Sequence, residues 1–177
     1  MSRQRLDADS FRDSVILVSG QLDLTMGGPG IAHFTTSPGP QVTPVLHYDK
    51  FDLDSAGANR RSIYRVVWRG IPDPLMESLD FPDLGLLAPT RGFSASPLQS
   101  LELLNNRFVL HHVQHMTNDI KAKTQILPEQ IKLAVQRTWL REPTLEELKK
   151  LTKLVDAHGL QAACRVLLNS NEFLFIE

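Results

Sequence analysis

The sequence predicts a mainly α fold, with a small helical bundle in the C-terminal half and a loop-rich central segment containing one or two short β-strands. Three observations carry this prediction. Two strings of capping-box form, Ser96-Pro97-Leu98-Gln99 and Thr144-Leu145-Glu146-Glu147, open segments whose apolar residues recur at helical spacing. The stretch from Pro29 to Ala58 is dense in Pro, Gly, Ser and Thr, which favour turns over regular elements. Only the run from Ser62 to Trp68 alternates as a strand does. At 177 residues, 42% apolar and 22% charged, the chain carries enough material for one core, so a single domain over 1–177 is expected.

The elements follow in order. Residues 8–28 read as a helix and a glycine-rich turn. Asp7 is placed to cap the first helix, Asp9 adds charge that suits its first turn, and Phe11, Val15, Val18 and Leu22 form one apolar stripe. Gly20 or the Gly27-Gly28 pair ends it. Residues 29–58 read as a long loop; connections beyond about 12–15 residues are uncommon without a function or mobility of their own. In 59–95, a strand at Ser62–Trp68 precedes prolines 72, 74, 82 and 89, which leave room for one short helix near Leu75–Leu79. The rest, 96–177, is the bundle. Helices are predicted from Pro97 to about Leu104, then, after a break and cap at Asn105 and Asn106, to about Lys123, from Pro128 to about Leu140, from Leu145 to Gly159 and from Leu160 to about Asn169.

Composition excludes several function classes. A formal charge of -1 and a pI near 6.6 give no global attraction to nucleic acid, and no partner of that kind is expected. No run reaches the about 18 apolar residues that span a bilayer, so no membrane insertion is expected, and the N-terminus lacks the apolar core of a signal peptide. The single cysteine, Cys164, rules out an internal disulfide or a cysteine cage; in its apolar helical setting it reads as a small buried filler. The cysteine pair that attaches haem c is absent, and no cofactor is expected.

The best candidate site is an arginine cluster. On a strand, Arg61, Arg65 and Arg69 would share one side at intervals of roughly 13 Å. With Arg60, and with Tyr64, Trp68 and Arg91 alongside, they would form a basic stripe suited to carboxylate, sulfate or phosphate. The competing reading is internal pairing, because Asp49, Asp52, Asp54, Asp73, Asp80 and Asp83 flank the strand. His111 and His115 stand one helical turn apart beside His112, but two imidazoles do not complete a zinc site. No metal is assigned, and the triplet reads as a solvated helix face. Met26-Gly27-Gly28-Pro29-Gly30 lacks the lysine and hydroxyl residue of a phosphate-binding loop and reads as a tight turn with positive φ. No nucleophile elbow occurs, and no carboxylate pair can be assigned to glycosidase chemistry.

Four strings in fixed order carry a family resemblance: Arg5-Leu6-Asp7-Ala8, Ser19 to Gly28, Asn59 to Tyr64 and Asn169 to Leu174. Arg141 to Glu147 corresponds to a further recurrent segment. Together they resemble the C-terminal domain of unknown function in large planctomycete proteins that also carry c-type cytochrome modules, domain of unknown function 1553. The resemblance implies a C-terminal portion of a larger family domain, a cell-envelope or periplasmic setting, and upstream domains or a second subunit as partners. It implies no reaction. The leading expectation is a non-catalytic binding or assembly module that grips an anionic polysaccharide or an acidic partner. The alternative is a fragment of an enzyme, for polysaccharide hydrolysis or haem-linked redox chemistry, completed by upstream domains. If upstream parts are missing, the stripe of Phe11, Val15 and Val18 or an opposing bundle face would stand uncovered and favour association.

Overall fold

A computed structural model describes residues 4–40, 43–82, 94 and 96–176. The mainly α architecture is as expected. Helix α1 (Ala8–Val18) starts at Asp7, whose side chain accepts the Ser10 amide at 2.7 Å. After it come a hairpin of β2 (Thr35–Ser37) and β3 (Val45–His47), and the short α2 (Pro74–Ser78). The bundle follows: α3 (Pro97–Asn105), α4 (Arg107–Lys123), α5 (Leu127–Trp139), α6 (Leu145–His158), α7 (Leu160–Leu168) and the single-turn α8 (Asn171–Leu174). Both capping boxes form, at Ser96 with Gln99 and at Thr144 with Glu147. Asn106 both closes α3 and caps α4, its side chain accepting the Phe108 amide at 2.9 Å.

Strands β1 (Gln4–Arg5) and β4 (Phe175–Ile176) pair antiparallel, with Gln4 opposite Ile176 and Arg5 opposite Phe175. Nothing in these short strings predicts the pairing. Leu6 extends it by donating its amide to the Leu174 carbonyl at 2.8 Å.

The core is continuous from α1 through the bundle. Helix α7 packs against α4, α5, α6 and α8, and buries Leu160, Ala163, Cys164, Leu167 and Leu168. Burial pushes the Cys164 thiol up to about 11, which makes it the inert filler its setting predicts. Of the two apolar surfaces expected to stand uncovered, the α1 stripe is covered. Phe11, Val15 and Val18 are buried within this chain, and Phe11 meets the Phe173 ring edge-on at 6.2 Å.

Two central expectations are corrected. The loop at 29–58 contains the β2–β3 hairpin, in register Thr35 to His47, Thr36 to Leu46 and Ser37 to Val45. Its strands, Thr-Thr-Ser and Val-Leu-His, are too short to show the alternation that marks a half-buried strand. The predicted strand at Ser62–Trp68 is instead a 3-10 turn at Ser62–Tyr64. Asp13 of α1 causes the difference, because its Oδ1 accepts both the amide and the hydroxyl of Ser62 at 2.7 Å. Ser62 is thereby buried against α1 and Ile63 turned out to solvent. In the rest of the 62–68 segment, the strand-like pairing among the described residues is an isolated bridge between Ile31 and Arg65.

Candidate functional site

The turn scatters the arginines that an extended strand would have aligned. Arg60 is buried, and its guanidinium donates to the carbonyls of Pro29 at 3.0 Å, Thr25 at 3.2 Å and Gly27. It also lies 3.8 Å from the centroid of the Tyr64 ring, while the Tyr64 hydroxyl accepts the Gly27 amide at 2.8 Å. The glycine-rich turn is thus wrapped around Arg60. Gly27 and Gly28 have φ of 80° and 79°, which a side chain would resist, and so the carbonyls can converge on one cation. The Arg65 side chain is buried and bonded to Asp73 at 2.5 Å. Arg61 is half exposed, 3.9 Å from Asp13, and Arg69 and Trp68 are exposed farther along. Arg91 lies outside the described residues. Internal partners therefore hold Arg60 and Arg65, and no continuous stripe joins Arg61, Arg65 and Arg69.

Arg65 instead helps to line a cavity of about 340 Å³ between α1, the 48–58 segment and the starts of α2 and α4. Its wall includes Arg12, His33, Tyr48, Phe51, Asp73 and Phe108. The volume lies at the lower end of the range for small-ligand sites, about 300–1,000 Å³. Sequence reasoning passed over Arg12 because it sits inside the apolar stripe of α1, where only its burial gives it meaning.

Arg12 is 4% exposed, an unusual setting for a cation. Its close acceptors are neutral: the Ala58 carbonyl at 2.7 Å, the Arg60 carbonyl at 2.9 Å and the Ser62 hydroxyl at 3.3 Å. The nearest carboxylate, Asp13, is 3.5 Å away and already engaged by Ser62. Burial, followed by repulsion from Arg65, lowers the Arg12 pKa to about 10. Arg12 also faces the Phe108 ring at 5.4 Å.

His33 completes this wall. Arg65 donates its Nε–H to His33 Nδ1 at 3.1 Å, which leaves the proton of the neutral ring on Nε2. Nε2 is buried and forms no hydrogen bond of good geometry, although the Gly57 backbone is close enough to favour the charged ring slightly. Burial, with Arg12 and Arg65 adding to it, pushes the His33 pKa down to about 3, so the ring is neutral at physiological pH.

The histidine triplet divides. His112 is buried, contrary to a solvated face, and its Nδ1 lies 3.1 Å from Ser19 Oγ. Since the single Ser19 proton goes to the Ile16 carbonyl at 2.7 Å, His112 Nδ1 is the donor. His111 and His115 turn the other way, toward Asp54.

The strings that carried the resemblance interlock. Ser19 to Gly28 closes on Asn59 to Tyr64 through Arg60, and Leu6 meets Leu174. A family model described as Protein of unknown function (DUF1553), PSD1, matches residues 1–155. The chain belongs to that family. The DUF1553 match ends inside α6, so the Asn169 to Leu174 string lies beyond it. No curated protein and no solved structure matches the chain. Membership in DUF1553 assigns no activity.

Proposed function

We propose that the chain is a non-catalytic binding module whose cavity receives the anionic group of an acidic saccharide. One observation carries this reading. Arg12 is a buried cation on the cavity wall whose hydrogen-bond acceptors are neutral oxygens, with Asp13 3.5 Å away and the neighbouring Arg65 bonded to Asp73. A buried charge of that kind gains from an anion that reaches it. Tyr48, Phe51 and Phe108 offer apolar faces to a sugar ring. The site thus moves from the expected stripe to Arg12 and Arg65, with Arg107 at the rim. For its setting we propose a larger planctomycete-type envelope protein, with upstream cytochrome modules or a second subunit as partners; the motif strings support this.

The test is a thermal melt with an oligouronate and with a neutral oligosaccharide of the same length, at low and moderate salt. The oligouronate is expected to raise Tm, the rise to shrink with salt, and Arg107→Gln to reduce it. Equal shifts from the two saccharides, or none from either, would refute the proposal.

A further inference from the structure

We propose that Asp54, His111 and His115 form a binding site for a divalent transition-metal ion of the zinc type. The site is assembled by two pieces of chain. Arg107, His111 and His115 follow one another at intervals of four residues and form a row along α4. The 49–55 segment lies against this row. Arg107 donates to the carbonyls of Asp49 at 2.5 Å and Phe51 at 2.8 Å, which fixes the segment at the first turn of the helix. Asp52 then tightens a turn: its carboxylate accepts the Asp54 amide at 3.0 Å, and its carbonyl accepts the Ser55 hydroxyl at 2.6 Å. That turn presents Asp54 to the second and third members of the row.

Three ligand atoms converge. His111 Nε2 and His115 Nε2 are 3.1 Å apart, and each lies 3.4 Å from the same Asp54 Oδ1. A tetrahedral ion with bonds of about 2.0–2.1 Å requires neighbouring ligands about 3.3–3.4 Å apart, so this triangle has nearly the dimensions of one coordination face. The 3.4 Å separations are long for N–H···O hydrogen bonds but suit two donors on one cation. Imidazole nitrogen with one carboxylate oxygen selects zinc-like ions over calcium or magnesium, which favour all-oxygen shells. The two imidazole side chains are about one-fifth and one-third exposed and Asp54 is largely exposed, so an ion can enter from solvent and keep water as its fourth ligand. Asp52 adds negative charge nearby and Arg107 offsets it, while His112 points into the core and takes no part.

The sequence offered only the helical pair, because the third ligand comes from a loop 57 residues earlier than His111. Functionally, an ion here would staple the 49–58 segment, which walls the cavity, onto α4. The inference does not depend on what the cavity binds.

The experiment uses the full chain, stripped of metal with a chelator and titrated with zinc chloride by calorimetry. Cobalt chloride follows, read by visible absorption. Saturable one-to-one zinc binding, a raised Tm and the intense visible bands of tetrahedral cobalt are expected. Loss of a direct ligand should weaken binding by at least the 10–100-fold that loss of an outer partner costs. His111→Ala with His115→Ala should abolish it. Asp54→Asn, an exposed and nearly isosteric change, settles the question should the double variant fail to fold. Absence of one-to-one binding by the unaltered chain, or binding that Asp54→Asn leaves unchanged, would overturn the proposal.

Discussion

Arginine in this protein is mainly an internal building material, and its partners differ from site to site. Arg60 and Arg12 rely largely on backbone carbonyls, whereas Arg141 stands between two carboxylates, Glu147 at 2.8 Å and Glu172 at 2.5 Å, with its guanidinium 4.9 Å from the Trp139 ring centroid. Hydrogen bonds from Arg141 first, then from the Thr144 amide, lower the Glu147 pKa from 4.5 to about 2. The folded carboxylate therefore resists protonation that the unfolded one accepts. Its contribution is full above about pH 4.5 and is lost as pH falls toward 2. Buried His33 and His112, with pKa values lowered from 6.5 to about 3, begin to cost stability at a higher pH, once the unfolded chain protonates them below about 6.5. Glu147→Gln keeps the capping box, which accepts glutamine, and removes only the charge. The variant should melt lower at neutral pH, and its deficit should shrink between pH 4.5 and 2. A deficit that stays constant across that window would assign the role of Glu147 to the cap alone.

Helix ends were the most legible elements. Serine, threonine and asparagine caps act through their own neighbours, so Ser96, Asn106 and Thr144 could be read locally, and each caps as expected. The 62–68 segment was not legible, because a carboxylate 49 residues away decides its conformation. The same limit applied to the sites. The arginine cluster was visible in sequence, but its alignment depended on a strand that Asp13 prevents; Arg12 and Asp54 acquire meaning only through tertiary neighbours. Helix α5 ends without the usual glycine. Leu140 occupies the left-handed region at φ 57° and is 88% exposed, so the strain is not repaid by burial. Leu140→Gly should raise stability by about 1 kcal/mol, read as a higher denaturant midpoint with an unchanged slope. A lower midpoint would show that the Leu140 side chain contributes more than its backbone costs.

Across the whole molecule, distant parts of the chain hold one another. Arg5 donates to the Leu79 carbonyl at 3.1 Å, to Asp80 at 2.6 Å and to the Ser94 carbonyl at 2.7 Å, and Asp80 in turn accepts Gln99 at 3.2 Å. The β1–β4 pair then joins the first described residue to the last, Gln4 opposite Ile176. This adjacency makes the order of the chain separable from its architecture. A circular permutant that links the two ends through a short glycine tether and opens at the exposed Gly70 should keep a single cooperative melt; loss of cooperativity would mean that the opened segment is itself required for folding. Chain joined at Gln4 and at Ile176 would leave from neighbouring points. A host chain spliced at these two strand positions would therefore resume almost where it broke off.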